Sequence, residues 1–345
     1  MFDYIDDVLD SPIKIPGETI GYSRENRPIH AAVMGNGNIH ISLIGGCHAD
    51  EPVGPRFLRK LYGFLDSLDP GHELVENYRW WLVPHVNPDG EAVNKKWYSD
   101  NDKTFDLTDY LESVERELPG DDIEFGFPHG PGKAGLRPEN DAVYRFWQSA
   151  GTAFHLHASL HGMMVAAGPW FLVEKEWIHR SRIIQSLCRV ETAKLGCNLH
   201  DVDRKGEKGF SRISKGFCTR PDSRAMRAFF LDRGDNETAD KFFPSSMEAV
   251  RDLGGDPLTI VSEMPLFILP DLPGKMDWPD PVWEKWSTKL KGWKERIREH
   301  GESKEKIRRE IVSSGITPMP VNHQMRLQWR FISAAVKQVE VETGR

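Results

Sequence analysis

The feature of this sequence that most constrains its fold is the alternation of short apolar stretches with longer amphipathic ones over the first 275 residues. Five stretches are short, apolar and rich in β-branched or aromatic residues, as buried strands are. They cover residues 28–34, 39–44, 80–86, 152–161 and 258–263. Helical patterns lie between them, at residues 53–68, 139–150 and 177–195. This alternation predicts an α/β fold with a mixed, largely parallel central sheet and helices on both faces.

The last 70 residues differ in composition from the rest of the chain. Residues 276–345 carry a net charge of +4, whereas residues 1–275 carry −11. Two apolar stripes with helical spacing indicate two amphipathic helices. The stripes consist of Trp283, Trp286, Leu290, Trp293 and Ile297, and of Met325, Trp329, Ile332, Val336 and Val339. We therefore predict a main domain at 1–275 and a helical appendage at 276–345, packed on the main domain or, in a homo-oligomer, on a second subunit.

Charge and composition argue against several classes of partner. The chain contains 45 Lys and Arg against 52 Asp and Glu, and a net charge of −7 does not favour nucleic-acid binding through bulk charge. No apolar run approaches the roughly 20 residues that span a bilayer, and the acidic start lacks the pattern of a signal peptide. The four cysteines form no CxxC pair and are interpreted as reduced thiols. We expect a cytoplasmic protein without a nucleic-acid or membrane partner.

Potential metal ligands follow two of the predicted strands. His48 and Glu51 come directly after the stretch 39–44 and before a predicted helix, so both side chains can converge on one point. An HxxE of this kind also arises by chance, as a capping or surface pair. His161 closes the stretch 152–161 and supplies a third candidate. A set of His, Glu and His leaves a fourth zinc position open for water, which is the arrangement of a catalytic site.

Three neighbouring residues have ordinary structural interpretations. His155 and His157 precede His161 in the same predicted strand, and we interpret them as buried imidazoles bonded to backbone carbonyls or as partners of a ligand. Cys47 adjoins His48, but the alternation of a strand turns it away from the metal, as a small buried hydrophobe.

A candidate general base ends another apolar stretch. Glu263 lies at the end of the stretch 258–263, where burial raises the pKa of a carboxyl group and suits it to accept a proton from water. A salt-bridged or capping Glu before Pro265 is the alternative.

Six short motifs occur in the order seen in zinc metallocarboxypeptidases of the carboxypeptidase A/B type, and the chain resembles a divergent member of that family. They are GYSRENRPI at 21–29, HxxE at 48–51, NPDG at 87–90, the segment from Gly130-Pro131 to Glu139, SLHG at 159–162, and Glu263 after its β-run. The resemblance implies the fold of that family, one zinc ion held by His48, Glu51 and His161, and Glu263 as the general base.

The sequence departs from the family where the substrate is recognised. The Arg that polarises the scissile carbonyl, often six residues past NPDG, is matched here by Lys96, which carries a charge but lacks the bidentate fork of Arg. The Asn-Arg pair that grips a terminal carboxylate is matched by Glu124 and Phe125, which do not suit an anion. The family's active-site Tyr has no counterpart after Tyr144.

These departures leave two interpretations of substrate recognition. Another Arg takes over the carboxylate, and the candidates are Arg137, Arg145, Arg212 and Arg220. Alternatively, the substrate is a different amide with a cationic group near Glu124.

The sequence therefore predicts a zinc-dependent hydrolase that cleaves a peptide or another amide C–N bond, with residues 1–275 as the catalytic domain. A small-molecule amidase or deacylase on the same fold is the first alternative. A non-catalytic binding protein on a decayed peptidase fold is the second, and the complete set of His48, Glu51, His161 and Glu263 argues against it.

Overall fold

The computed structural model describes residues 3–128, 137–299 and 301–344. The Gly130-Pro131 part of the predicted motif lies outside the described residues.

A mixed sheet forms the centre of the fold. In the described parts of the chain it has ten strands, nine of them in the order β1-β2-β4-β3-β5-β10-β6-β9-β8, while β12 pairs with β10 and β7 pairs separately with β11. The strands are β1 (Glu18–Tyr22), β2 (Pro28–Met34), β3 (Ile39–Gly45), β4 (Tyr78–Val83), β5 (Leu156–Ala166), β6 (Trp170–Val173), β7 (Val202–Asp203), β8 (Arg212–Ser214), β9 (Phe217–Thr219), β10 (Leu258–Ile268), β11 (Met276–Asp277) and β12 (Thr317–Pro318).

Helices cover both faces of this sheet. They are α1 (Ile5–Asp10), α2 (Val53–Leu65), α3 (Glu73–Glu76), α4 (Pro88–Asn94), α5 (Leu107–Ser113), α6 (Pro138–Gln148), α7 (Arg182–Lys194), α8 (Ser223–Leu231), α9 (Asn236–Asp240), α10 (Ser246–Asp252), α11 (Pro281–Arg298), α12 (Lys304–Ser313) and α13 (Val321–Glu342). Short 3₁₀ helices span Lys175–Arg180 and Glu207–Gly209. One core cluster joins α2, α7 and α13 to the sheet, and another joins α6 and α10 to it. The predicted α/β fold, with helices on both faces and at the C-terminus, is confirmed.

The four central strands, β4, β3, β5 and β10, run parallel to one another, whereas β2 and β6 on either side of them are antiparallel. Almost all of their residues are buried, as expected of parallel strands covered on both faces. The predicted strands at 152–161 and 258–263 differ from β5 and β10, which continue to Ala166 and Ile268. The extra residues pair with each other, so both strands run past the residues predicted to end them.

Three of the six motifs contact one another beside the sheet. Ser23 donates a hydrogen bond of 2.6 Å to Asp89 of the NPDG turn, and Arg27 lies 2.7 Å from the same carboxylate. The backbone N–H of Arg24 donates to Glu139 at the start of α6. These contacts join the turn between β1 and β2 to the first turns of α4 and α6.

The C-terminal helices share the core of the sheet. The stripe of α13 is buried, with Trp329 1% exposed, and α13 packs against α7, β10, β5 and α2. In α11, Trp293 is buried and Trp283 and Trp286 are partly buried. The stripes therefore contact their own chain, and both a homo-oligomer and the division after residue 275 stay predictions. None of the described helices is both long and apolar enough to cross a membrane.

The packing of α13 predicts a large effect of Trp329→Ala. We expect a loss of about 3–5 kcal/mol in the free energy of unfolding, because the substitution leaves a cavity in the core beside the sheet. Val312→Ala, at a side chain that is 71% exposed on α12, is the control and should change it by less than about 0.5 kcal/mol. Denaturant unfolding followed by circular dichroism measures both. Equal effects of the two substitutions would show that α13 is not part of the core.

Candidate metal centre and active-site cleft

The predicted metal ligands come together at the carboxyl end of β3. Gly46 follows this strand with a φ of +72°, and a side chain there would meet the ring of His85 at 2.5 Å. Glycine therefore allows the sharp turn that carries His48 and Glu51 back over the strand end. His161 lies on the neighbouring strand β5, one residue past the pairing of Gly45 with Leu160.

Four ligand-type atoms converge there. His48 Nδ1 lies 2.7 Å from Glu51 Oε1 and 3.2 Å from His161 Nδ1, and His161 Nδ1 lies 3.0 Å from Glu51 Oε2. Within the described residues, Glu51 Oε2 is buried and has no hydrogen-bond partner of acceptable geometry. A buried carboxylate whose two oxygens each face an imidazole nitrogen is an arrangement that a cation between them would satisfy. Two His and one Glu are the ligand set of a catalytic zinc, so the donor set fits this metal.

The other ring nitrogen of His161, Nε2, lies within hydrogen-bonding distance of two side chains. His161 Nε2 lies 2.7 Å from Ser159 Oγ and 3.0 Å from Glu124 Oε2. Cys47 completes a second buried group with these residues, on the Nε2 side rather than the Nδ1 side. Burial, with the charge of Glu124, raises the pKa of the Cys47 thiol to about 12, so it stays protonated. Glu124, which we expected to contact substrate, is thus engaged with a ligand side chain.

The two other histidines of this region lie apart from the cluster. His157 is buried beside Ser42, at 3.0 Å from its hydroxyl, and burial lowers its pKa to about 3. His155 accepts a hydrogen bond from the backbone N–H of His40. Both contacts are structural, but neither is the bond to a backbone carbonyl that we expected: one is to a hydroxyl and the other is from an N–H.

Glu263 lies beside His161 because β5 and β10 are paired in register. The two residues are direct partners across the parallel strands, and their side chains point to the same face of the sheet. Removal from water raises the pKa of the Glu263 carboxyl to about 8, against the opposing charge of His161.

Arg116 is the residue that sequence reasoning missed. Its guanidinium lies 3.2 Å from His48 Nδ1, 3.6 Å from Glu51 Oε1 and 3.4 Å from Asp50. Lys96, expected at this place, is exposed in the turn after α4 and contacts none of these residues in the described structure. The expectation failed because it counted residues from NPDG, whereas α5 (Leu107–Ser113) lies between that motif and the site. The sequence signal that could have pointed to Arg116 is its place eight residues before Glu124, a residue already assigned to the site.

The four Arg residues proposed as substitutes for the carboxylate clamp are engaged elsewhere. Each has an acidic partner: Arg137 pairs with Glu139, Arg145 with Asp141, Arg212 with Asp201, and Arg220 with Glu174. Arg145 is 70% exposed, while Arg220 is buried. None of the four lines the cleft at the metal ligands.

A cleft of about 450 Å³ opens next to the ligands. Glu263, Phe125 and Val261 contribute to its walls, and Phe125 packs against Phe242 with ring centres 5.2 Å apart. Two cations line it away from the sheet: Arg204, paired with Glu207, and Lys208, whose ammonium lies 4.3 Å from the centre of the Phe229 ring. Lys208 has no ion pair among the described residues. Of these two cations, Lys208 is therefore the one whose charge is not already paired with a carboxylate.

Comparison with known proteins gives three similarities. Carboxypeptidase SOL1 of Arabidopsis thaliana is 32% identical over 132 residues, which are 37% of this chain and about a quarter (24%) of that protein's length. A metallo-carboxypeptidase structure from Burkholderia cenocepacia has a TM-score of 0.46 at 13% identity, with 98% of this chain and 68% of that chain covered. Carboxypeptidase A from Helicoverpa armigera has a TM-score of 0.48 at 10% identity, with 99% and 73% covered.

A family model described as zinc carboxypeptidase matches residues 3–187, just over half of the chain. The matched range includes His48, Glu51 and His161 and ends before Glu263. The predicted resemblance is confirmed: this chain belongs to the zinc carboxypeptidase family of hydrolytic metallopeptidases.

Proposed function

We propose that this protein is a zinc-dependent hydrolase that cleaves the C–N bond of a peptide or a related amide. The observation that carries the proposal is the convergence of the Nδ1 atoms of His48 and His161 on Glu51, with Glu263 on the adjacent strand. One zinc ion, held by these three ligands, would lower the pKa of a water molecule and polarise the substrate carbonyl.

Glu263 acts as the general base in this proposal. Its carboxylate takes a proton from the attacking water and returns it to the nitrogen of the leaving amine. Its position beside His161, and its place in the wall of the cleft, support this role. A bound cation favours the ionised form, which is the form that a base requires.

Arg116 supplies the positive charge for the oxyanion. Its guanidinium lies against the ligands at 3.2 Å from His48, where the carbonyl oxygen of a substrate would develop charge. Asp50 orients it, and Tyr110 in turn donates a hydrogen bond of 2.7 Å to Asp50. Unlike Lys96, Arg116 offers a fork of donors.

Glu124 and Ser159 keep His161 in place. Their hydrogen bonds with Nε2 fix the orientation of the imidazole ring, so that Nδ1 points at Glu51. With Glu124 used in this way, the leaving group meets Lys208 and Arg204 at the far side of the cleft. We propose that these two cations replace the family's Asn-Arg pair in attracting an anionic leaving group.

The proposed compartment is the cytoplasm. All four cysteines are free thiols, and three of them are buried, as expected of a protein kept under reducing conditions.

Metal analysis tests the ligand set. The purified chain should bind one equivalent of zinc, and His161→Ala should lose it, because Nδ1 of this residue faces the other two ligands. His155→Ala is the matched control: it removes the same side chain six residues earlier and should retain zinc. Zinc content is measured by atomic emission on samples whose folding is checked by circular dichroism. Zinc retained in His161→Ala would refute the assignment, and zinc absent from the wild type would favour a binding protein.

Substitution of Arg116 tests the source of the oxyanion charge. Arg116→Ala should lower kcat by about 10²–10³, as loss of an oxyanion donor does, whereas Lys96→Ala should leave kcat within about twofold. Steady-state kinetics on any cleaved substrate measures both. A larger loss of kcat in Lys96→Ala than in Arg116→Ala would contradict this assignment and favour Lys96 as the source of the charge.

A panel of N-blocked dipeptides with free and amidated C-termini tests the function itself. Turnover should disappear on removal of zinc by a chelator and return with one equivalent of the metal. We expect the free C-terminus to be preferred, and the preference to shrink about tenfold in Lys208→Ala. No turnover of any member by the zinc-loaded protein would contradict the peptidase proposal and direct the search to other amides.

A further inference from the structure

A second cleft, mostly apolar, lies between α5 and α11 and has a volume of about 460 Å³. We call it the apolar cleft. Its walls are formed by Leu111 of α5, Val114 directly after α5, Met164 of β5, and Trp283, Trp286 and Leu290 of α11. The predicted stripe of α11 thus does more than cover the core: Leu290 is buried, while Trp286 is only partly buried and faces the cleft.

The apolar cleft meets the metal centre at Arg116. Arg116 lines both this cleft and the one that contains Glu263, and Asp50, which pairs with Arg116, lines the apolar cleft. A substrate whose carbonyl oxygen lies on the guanidinium therefore has one cleft on each side of its scissile bond.

The position of Glu263 indicates which half of the substrate lies in which cleft. In the proposed reaction it returns a proton to the leaving nitrogen, and it lines the 450 Å³ cleft but not the apolar one. The amine half then occupies the cleft of Lys208 and Arg204, and the acyl half points into the apolar cleft.

The charged residues that line the apolar cleft limit which acyl groups it can accept. Three cations of α11, Lys291, Lys294 and Arg298, line the apolar cleft together with the carboxylates of Asp50 and Glu115. Lys291 pairs with Glu295 and Arg298 with Glu115, whereas Lys294 has no ion pair among the described residues. Arg298 donates hydrogen bonds to the backbone carbonyls of Leu111 and Val114, which tie α11 to α5. With Arg116 included, four cations line the cleft against two carboxylates, so its net positive charge would repel a cationic substituent. An apolar substituent removes the surfaces of Trp286 and Met164 from water.

We infer that the apolar cleft is the acyl-side specificity pocket, and that its ligand is an aromatic or branched aliphatic group on the carbonyl side of the scissile bond. This inference rests on the proposed function for the assignment of the two halves. It gives the C-terminal helix α11 a part in substrate selection.

The test is a binding comparison that needs no turnover. N-acetyl-L-phenylalanine and N-acetylglycine, the acyl-side products of two model dipeptides, share a carboxylate and differ in one benzyl group. The zinc-loaded full chain should bind the phenylalanine compound at least tenfold more tightly in isothermal titration calorimetry. Trp286→Ala and Met164→Ala should each reduce this preference, while Lys285→Ala, at an exposed position of α11 outside the cleft, should preserve it.

Kinetics separates failure of this inference from failure of the proposed function. With N-blocked dipeptides, turnover with equal kcat/KM for phenylalanine and glycine on the acyl side would overturn the inference and leave the hydrolase intact. A Trp286-dependent binding preference without turnover would support the pocket and contradict the hydrolase. A preference that survives both Trp286→Ala and Met164→Ala in folded protein would also overturn the inference.

Discussion

The parallel register of β5 and β10 is the constraint on which the site depends. It sets Glu263 opposite His161 in the middle of two strands that continue on either side. Since side chains alternate between the faces of a sheet, a slip of one residue would turn Glu263 away from the ligands. The strands resist such a slip because both are buried over most of their length and share their hydrogen bonds with β3 and β6. The core of the sheet thus fixes the position that the proposed proton transfer requires of Glu263.

The position of His161 on β5 also places it between two buried carboxylates. Glu51 faces Nδ1 and Glu124 faces Nε2, so one buried imidazole lies between two carboxylates. Together they raise the pKa of His161 well above its usual value, although burial alone would lower it. Such a concentration of buried charge is costly, and a divalent cation bound among these groups would offset the cost and hold His161 in its neutral form. Arg116 adds the remaining positive charge from a loop that follows α5.

Much of the fold could be predicted from the sequence, because buried parallel strands leave a clear apolar pattern. The convergence of the three candidate ligands was also accessible, since His48, Glu51 and His161 all fall near the ends of such patterns. Arg116 was not, because its approach to His48 depends on the path of the chain between α4 and Glu124 rather than on local spacing. The contact of Glu124 with His161 was missed for a similar reason. The sequence showed an acid in place of an amide, but the two residues are 37 positions apart in the chain.

The central claim is that Glu263 works as the base of a zinc hydrolase. Glu263→Gln keeps the size of the side chain and its neutral hydrogen bonding but removes the ability to accept a proton from water. The direct measurement is single-turnover hydrolysis by wild type and Glu263→Gln, each carrying a measured equivalent of zinc. The account predicts a rate loss of about 10²–10⁴ with zinc retained. An unchanged rate in the zinc-loaded variant would contradict it.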